Sequence, residues 1–143
     1  MPTHWIVTAS ADHAARGKRL GIVQAGHGKD APLRRMQPGD GVVIYSPRAT
    51  YPDGPPLQAF TLIGRIAAEE PWQHDTFGPL MWARKVAWQD TGFVPIRPLL
   101  DDLEITRGLK SWWMAFRHGL TKITPADFDR IAGAIIGAPT GPT

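Results

Sequence analysis

The placement of glycine and proline is the strongest limit on how this chain folds. There are 15 Gly and 14 Pro in 143 residues, and between them strand-like pieces recur about every ten to fifteen residues. The pieces between them are short and rich in β-branched and aromatic residues. "HWIVTAS" (4–10), "LGIVQA" (20–25), "GVVIYS" (41–46) and "LQAFTLIGRIAAEE" (57–70) each read as extended, with Gly64 expected to mark a bulge or bend. "MWARKVAW" (81–88) alternates, which places Trp82, Arg84, Val86 and Trp88 on one face. "GFVPIRPLL" (92–100) is broken by Pro95 and Pro98 and suits a sheet edge.

Helical signals are fewer. "ADHAARGKRL" reads as a short helix with Ser10 or Asp12 as N-cap and Gly17 as its stop. "TRGLKSWWMAFRHG" (106–119) reads as a short helix or irregular cap. The clearest signal is Thr124-Pro125-Ala126-Asp127, a capping residue, a proline at the first helical position and an acid at the third. Phe128, Ile131, Ala132, Ile135 and Ile136 follow at helical spacing and make one apolar face. Many short strands with few helices predict an α+β protein, built as a small curved sheet or barrel with helices packed outside. One domain over residues 1–137 is expected, with 138–143 as a flexible tail.

Composition removes several chemistries. No cysteine is present, which excludes disulfides, zinc–thiolate sites and thiol catalysis. The five histidines, at 4, 13, 27, 74 and 118, show no i, i+4 pairing, so no metal site and no cofactor is expected. No apolar run reaches the roughly 20 residues of a membrane span, and the N-terminus lacks the pattern of a signal peptide. A cytoplasmic protein without membrane contact is expected. Net charge is only +3, yet between Asp12 and Met36 lie Arg16, Lys18, Arg19, Lys29, Arg34 and Arg35 against Asp12 and Asp30. A basic sector of this kind suits a polyanion, although a plain solvated surface has the same composition.

The stretch "QAGHGKDAPLRRMQPGD" (24–40) tests one such partner. A nucleotide-binding phosphate loop needs a first glycine where Val23 stands, and a hydroxyl residue where Asp30 stands. Pro32 then follows, with no clear helix. That reading fails, as does a catalytic Ser10–His13 or Ser10–His27 pair without a nucleophile elbow. What remains is a loop in which Gly26 and Gly28 permit a turn or a close approach to a ligand, and Lys29 supplies a mobile charge.

Several blocks resemble the EVE domain in order and spacing. They are "HWIVTASADHAARG", "GIVQAGHGKDAPLRRMQPGD", "VVIYSP", "LQAFTLIGRI" and "PLLDDLEI…FRHGLTKITPADF", spanning about His4 to Ile136. Gly26 and Arg48 depart from the residues frequent in the family, an asparagine and a lysine. EVE is similar in fold to PUA, ASCH and YTH domains, so the resemblance implies a PUA-like barrel of about five to six strands. It implies binding of DNA or RNA, with a flipped modified base, cytosine or adenine, held in a polar and aromatic pocket. On that basis Ser10, Ala11, Gln24, His27 and Gly28 border the pocket, and Tyr45, Phe60 or Trp72 forms its wall. Arg16, Lys18, Lys29, Arg34, Arg35 and Arg48 track the phosphates, with Arg34 or Arg35 equally able to pair with Asp40. The alternative implied by ASCH relatives is a small amidohydrolase for an acylated nucleoside, using Lys29 with Ser10 or Asp12. A carboxylate beside Lys29 would favour the enzyme, and an aromatic-walled cleft without one the reader.

Overall fold

The structure is a computed structural model in which residues 1–25, 28–75 and 78–137 are described. Its centre is a curled mixed sheet. The strands are β1 (His4–Thr8), β2 (Ile22–Val23), β3 (Gly41–Arg48), β4 (Pro56–Ile66), β5 (Trp72–His74), β6 (Met81–Trp88), β7 (Val94–Pro95) and β8 (Leu120–Ile123). Three α-helices, α1 (Ala11–Leu20), α2 (Asp30–Arg35) and α3 (Pro125–Ile136), join them with 3-10 turns at Arg97–Leu99 and Trp112–Phe116. The main path runs β2-β6-β4-β3-β1-β8, with β5 added to β6 and β7 added to β4. This is the expected α+β class, with eight strands rather than five or six because very short pieces complete the sheet.

β1 lies parallel to β3 and antiparallel to β8, with His4 opposite both Gly41 and Ile123. Strand alternation then divides the core. Ile6, Val43, Tyr45, Phe60 and Ile63 pack on one face with Trp112, Phe116, Phe128, Ile131 and Ile135. Trp5, Val7, Val42, Ile44, Leu62 and Val86 pack on the other with Ala14 of α1 and Leu33 of α2. Phe60 and Ile63 share a face because the β3–β4 register slips, pairing Ile44 with Leu62 but Tyr45 with Phe60. The irregularity expected at Gly64 is therefore nearer the middle of the strand. Gly64 has another purpose: a Cβ there would sit 2.4 Å from the Ala87 oxygen, so its hydrogen lets β6 close on β4. β4 also ends at Ile66 rather than continuing to residue 70.

Local signals account for most element ends. Thr124 caps α3 by accepting the Asp127 N–H at 3.1 Å. The buried Asp127 carboxylate accepts the N–H groups of Glu104 and Ile105 at 2.8 and 3.1 Å, fastening the helix to the preceding loop. Asp40 does the same at the Pro-Gly-Asp turn, accepting from Thr3 N–H, Gln37 N–H and the Trp5 indole at 2.9 Å each. It pairs with neither Arg34 nor Arg35.

Two expectations about helices are corrected. Gly17 does not stop α1; the helix runs on to Leu20 and ends at Gly21, which takes the left-handed conformation at φ 67°. A Cβ at Gly17 would stand 2.7 Å from the Ile22 oxygen, so the glycine serves β2's close approach to the helix. Residues 30–35 do form a short helix, because Pro32 falls in its first turn, where no intrahelical N–H is needed.

Candidate functional site

A cleft of about 50 Å³ opens between α1 and the sheet. His13, Ala14, Arg16 and Gly17 come from one side of α1, with Ala9 just before it. Ile22, Val23 and Gln24 come from β2 and the residue after it, Ile44 and Leu62 form the apolar floor, and Trp88 closes the end. The indole of Trp88 donates to the Ile22 oxygen at 3.0 Å, which fixes the ring's orientation. The Gln24 amide donates to the Trp82 carbonyl at 3.4 Å, a long bond that holds the side chain loosely at the mouth.

The helix start that borders the cleft carries a polar cluster. Ser10 donates its hydroxyl to the Asp12 carboxylate rather than capping α1. Burial opposes ionisation of Asp12, but the Ser10 hydroxyl, the His13 N–H and the charges of His13 and Arg16 outweigh it and hold the carboxyl below its ordinary range. His13, on the exposed side of the cleft and 6.2 Å from the Tyr51 ring, has its pKa lowered, first by partial burial and then by Arg16. At neutral pH it is therefore an uncharged donor–acceptor.

Of the residues expected at a pocket, Gln24 and Arg16 line this cleft, and Ser10 and Ala11 stand at the junction of Ala9 and α1 beside it. Gly28 has φ 80° and its Cα faces Met81, whose Cε would lie 2.4 Å from an added Cβ. His27, with Gly26, lies outside the described residues. Tyr45 and Phe60 are not wall residues: they are 2% and 0% exposed, on the opposite sheet face, where Tyr45 packs against Phe116 at 4.7 Å. That burial pushes the Tyr45 hydroxyl up to about 12. Trp72 is half-buried on β5, paired across from Ala83 and next to the His74 ring, away from the cleft.

The basic residues are unequal. Lys18 pairs with Asp90, and Arg34 with Asp30 at 3.1 Å while its guanidinium lies 5.1 Å from the Trp82 ring. Arg35 stacks over Trp5 at 5.2 Å, and Arg48 donates to the Gly54 carbonyl at 2.8 Å, bracing the loop between β3 and β4. Lys29 is exposed immediately before α2 and makes no ion pair among the described residues. Sequence reasoning missed two cleft residues, His13 and Trp88. Both left a signal: His13 shares a helix face with Arg16 and Gly17, and Trp88 ends the apolar alternation of β6.

A curled sheet with a small cleft between its first helix and its second strand, edged by an amide, an indole and basic groups, defines a PUA-like architecture. The chain belongs to the EVE domain family, whose pattern matches residues 3–134. It is similar to a UPF0310 protein of Mycolicibacterium vanbaalenii, at 47% identity over 94% of this chain and 93% of the relative. A UPF0310 protein of Bacillus subtilis is 33% identical over 92% and 91% of the two chains. Among solved structures, a protein from Agrobacterium tumefaciens matches with TM-score 0.53 and 12% identity, covering 99% of both chains. A hypothetical protein of Leishmania major matches with TM-score 0.54 and 12% identity over 93% and 94%. These two likenesses are of fold. No helix among the described residues is long and apolar enough to cross a membrane.

Proposed function

We propose that this EVE protein is a nucleic-acid-binding module that takes one unstacked base, favouring a modified one, at the cleft between α1 and β2. The observation that carries the reading is the meeting of Gln24, His13 and the fixed Trp88 ring over an apolar floor. An amide reads a base edge through one donor and one acceptor, and an indole face gives a base about 1–3 kcal/mol by stacking. The cleft is small beside the several hundred Å³ of a site that encloses a whole ligand. A base therefore enters edge-first, and a substituent on that edge fills or overfills the apolar floor, which is how a modification would be selected. Arg16 at the rim and Lys29 on the following loop face the backbone of the same strand.

The hydrolase alternative lacks a comparable observation. Ser10 and Asp12 are bound to each other, and Lys29 stands at the start of α2 without a carboxylate partner among the described residues. The test is tryptophan quenching with matched DNA and RNA oligonucleotides carrying unmodified, methylated, hydroxymethylated or acetylated bases, followed by product analysis. Affinity is expected to depend on the modification. Gln24→Ala should erase most of that preference, whereas Lys29→Ala should weaken every oligonucleotide and lower the salt slope by about one. Equal binding of all oligonucleotides would sink the reader, and turnover would restore the enzyme.

A further inference from the structure

Between Thr106 and Gly119 the chain turns apolar and basic side chains outward together. Leu109, Trp113 and Met114 are 54%, 54% and 46% exposed. Scattered exposed apolar residues need no explanation, but three within six positions form a patch. The turns that carry them are closed, with Leu109 N–H donating to Thr106 O at 3.1 Å and Met114 N–H to Ser111 O at 3.0 Å. Charge over this stretch has one sign. From Ile105 to Ala126 the sequence carries Arg107, Lys110, Arg117 and Lys122 with His118, and no Asp or Glu. Arg107, Lys110 and Arg117 are exposed, and none forms an ion pair among the described residues. The flanking acids are engaged elsewhere: Asp102 pairs with Arg130, Glu104 accepts from Thr124, and buried Asp127 accepts two backbone N–H groups.

Trp113 is both exposed and anchored. Its ring meets the buried Trp112 ring at 5.9 Å and 82°, an edge contact that restrains it. The Arg117 guanidinium donates to the Met114 carbonyl at 2.6 Å, which holds a cation beside the residue that follows Trp113. A restrained ring loses little freedom when another flat group stacks on it. The stretch also reaches the strand end from which the cleft starts. Thr8 donates its hydroxyl to Phe116 O at 3.0 Å and its N–H to Gly119 O at 2.9 Å, so Arg117 and His118 lie between two groups bonded to it. The next residue, Ala9, lines the cleft. A polyanion whose units also carry flat apolar faces satisfies both the charge and the ring, and single-stranded nucleic acid is such a polymer. An anionic membrane fits less well, because short turns offer no continuous apolar helix face to lie in it.

We propose that the 107–118 segment is a stacking platform for single-stranded nucleic acid, on which an unpaired base lies against Trp113 while Lys110 and Arg117 take the neighbouring phosphates. The proposal rests on the reading of the cleft as a nucleic-acid site and gives the strand a second hold. A strand leaving the cleft past Ala9 crosses Arg117 and His118 before it reaches the ring. This second hold is indifferent to base modification.

The test is fluorescence anisotropy with an end-labelled strand of twelve thymidines, free and annealed to its complement. Trp113→Ala should weaken the single strand about 10-fold and change the duplex by less than about twofold, since paired bases offer no free face. Trp113→Phe, which keeps a stacking face, should recover most of the loss. Arg117→Gln should lower the salt slope for the single strand by about 0.7, the share of one phosphate contact, and supplies a reading that does not depend on W113A folding. A modified base placed in the strand should gain affinity by the same factor in W113A as in wild type. The proposal is overturned if W113A and R117Q bind the single strand as wild type does, or if W113A weakens strand and duplex alike. It is also overturned if vesicles containing phosphatidylglycerol bind through Trp113 and the thymidine strand does not. Binding that depends on Trp113 but never on modification retains the platform and removes the modified-base reading, and the reverse pattern removes the platform alone.

Discussion

At the scale of single residues, Asp40 shows how one side chain fixes a site it never touches. Its carboxylate satisfies three N–H donors, one of them the buried indole of Trp5, and so fastens the start of β1 to the turn before β3. Asp40→Ala would strand those donors, and chemical denaturation should show a loss of about 3 kcal/mol. Gly64→Ala should be similarly harmful for a different reason. The added carbon meets a backbone oxygen at 2.4 Å, so β4 and β6 must part, and Trp88 with them. A 1H–15N spectrum should then show the largest shifts along β6. Both positions were conspicuous in the sequence, one as a turn and one as a glycine in a strand, but their partners are distant in the chain. That is why Gly64 was read as a bulge and Asp40 as a candidate ion pair.

At the scale of elements, α3 and β6 were fully readable and the pocket wall was not. The Thr124 cap, Pro125 and the apolar spacing after Asp127 all agree, so α3 forms where expected. Thr124→Ala should cost about 1 kcal/mol, measured as a fall in the denaturation midpoint without change in slope. By contrast, the alternation of β3 states that Val43 and Tyr45 share a face, and is silent on which face carries the cleft. Only the crossover of α1 onto the Ile44 side decides it, and that crossover is set by β1 running parallel to β3. Tyr45 and Phe60 were placed at the pocket by analogy of position and belong to the opposite core. Gln24 lines the cleft because it follows β2 directly, where a short strand leaves few directions for the next side chain.

At the scale of the whole molecule, His4 and His13 make stability depend on pH in one direction. His4 is packed on the Phe128 ring at 4.5 Å, and its pKa is lowered by burial and by Arg65, as that of His13 is by burial and Arg16. As pH falls through the ordinary value of 6.5, the unfolded chain binds protons before the folded one does. Stability is therefore full above that value and declines below it, until the folded histidines also protonate. Urea midpoints measured from pH 7.5 to 5 should fall, and His4→Phe should flatten part of that decline. The sheet has a further consequence, because β1 has β3 on one side and β8 on the other. During synthesis the first strand gains one neighbour once residue 48 has emerged, but its other edge stays open until residues 120–123 arrive. An open edge is a template for another chain. A version cut after Gly119 should therefore self-associate by light scattering where the full chain does not, which makes the last strand the guard of the first.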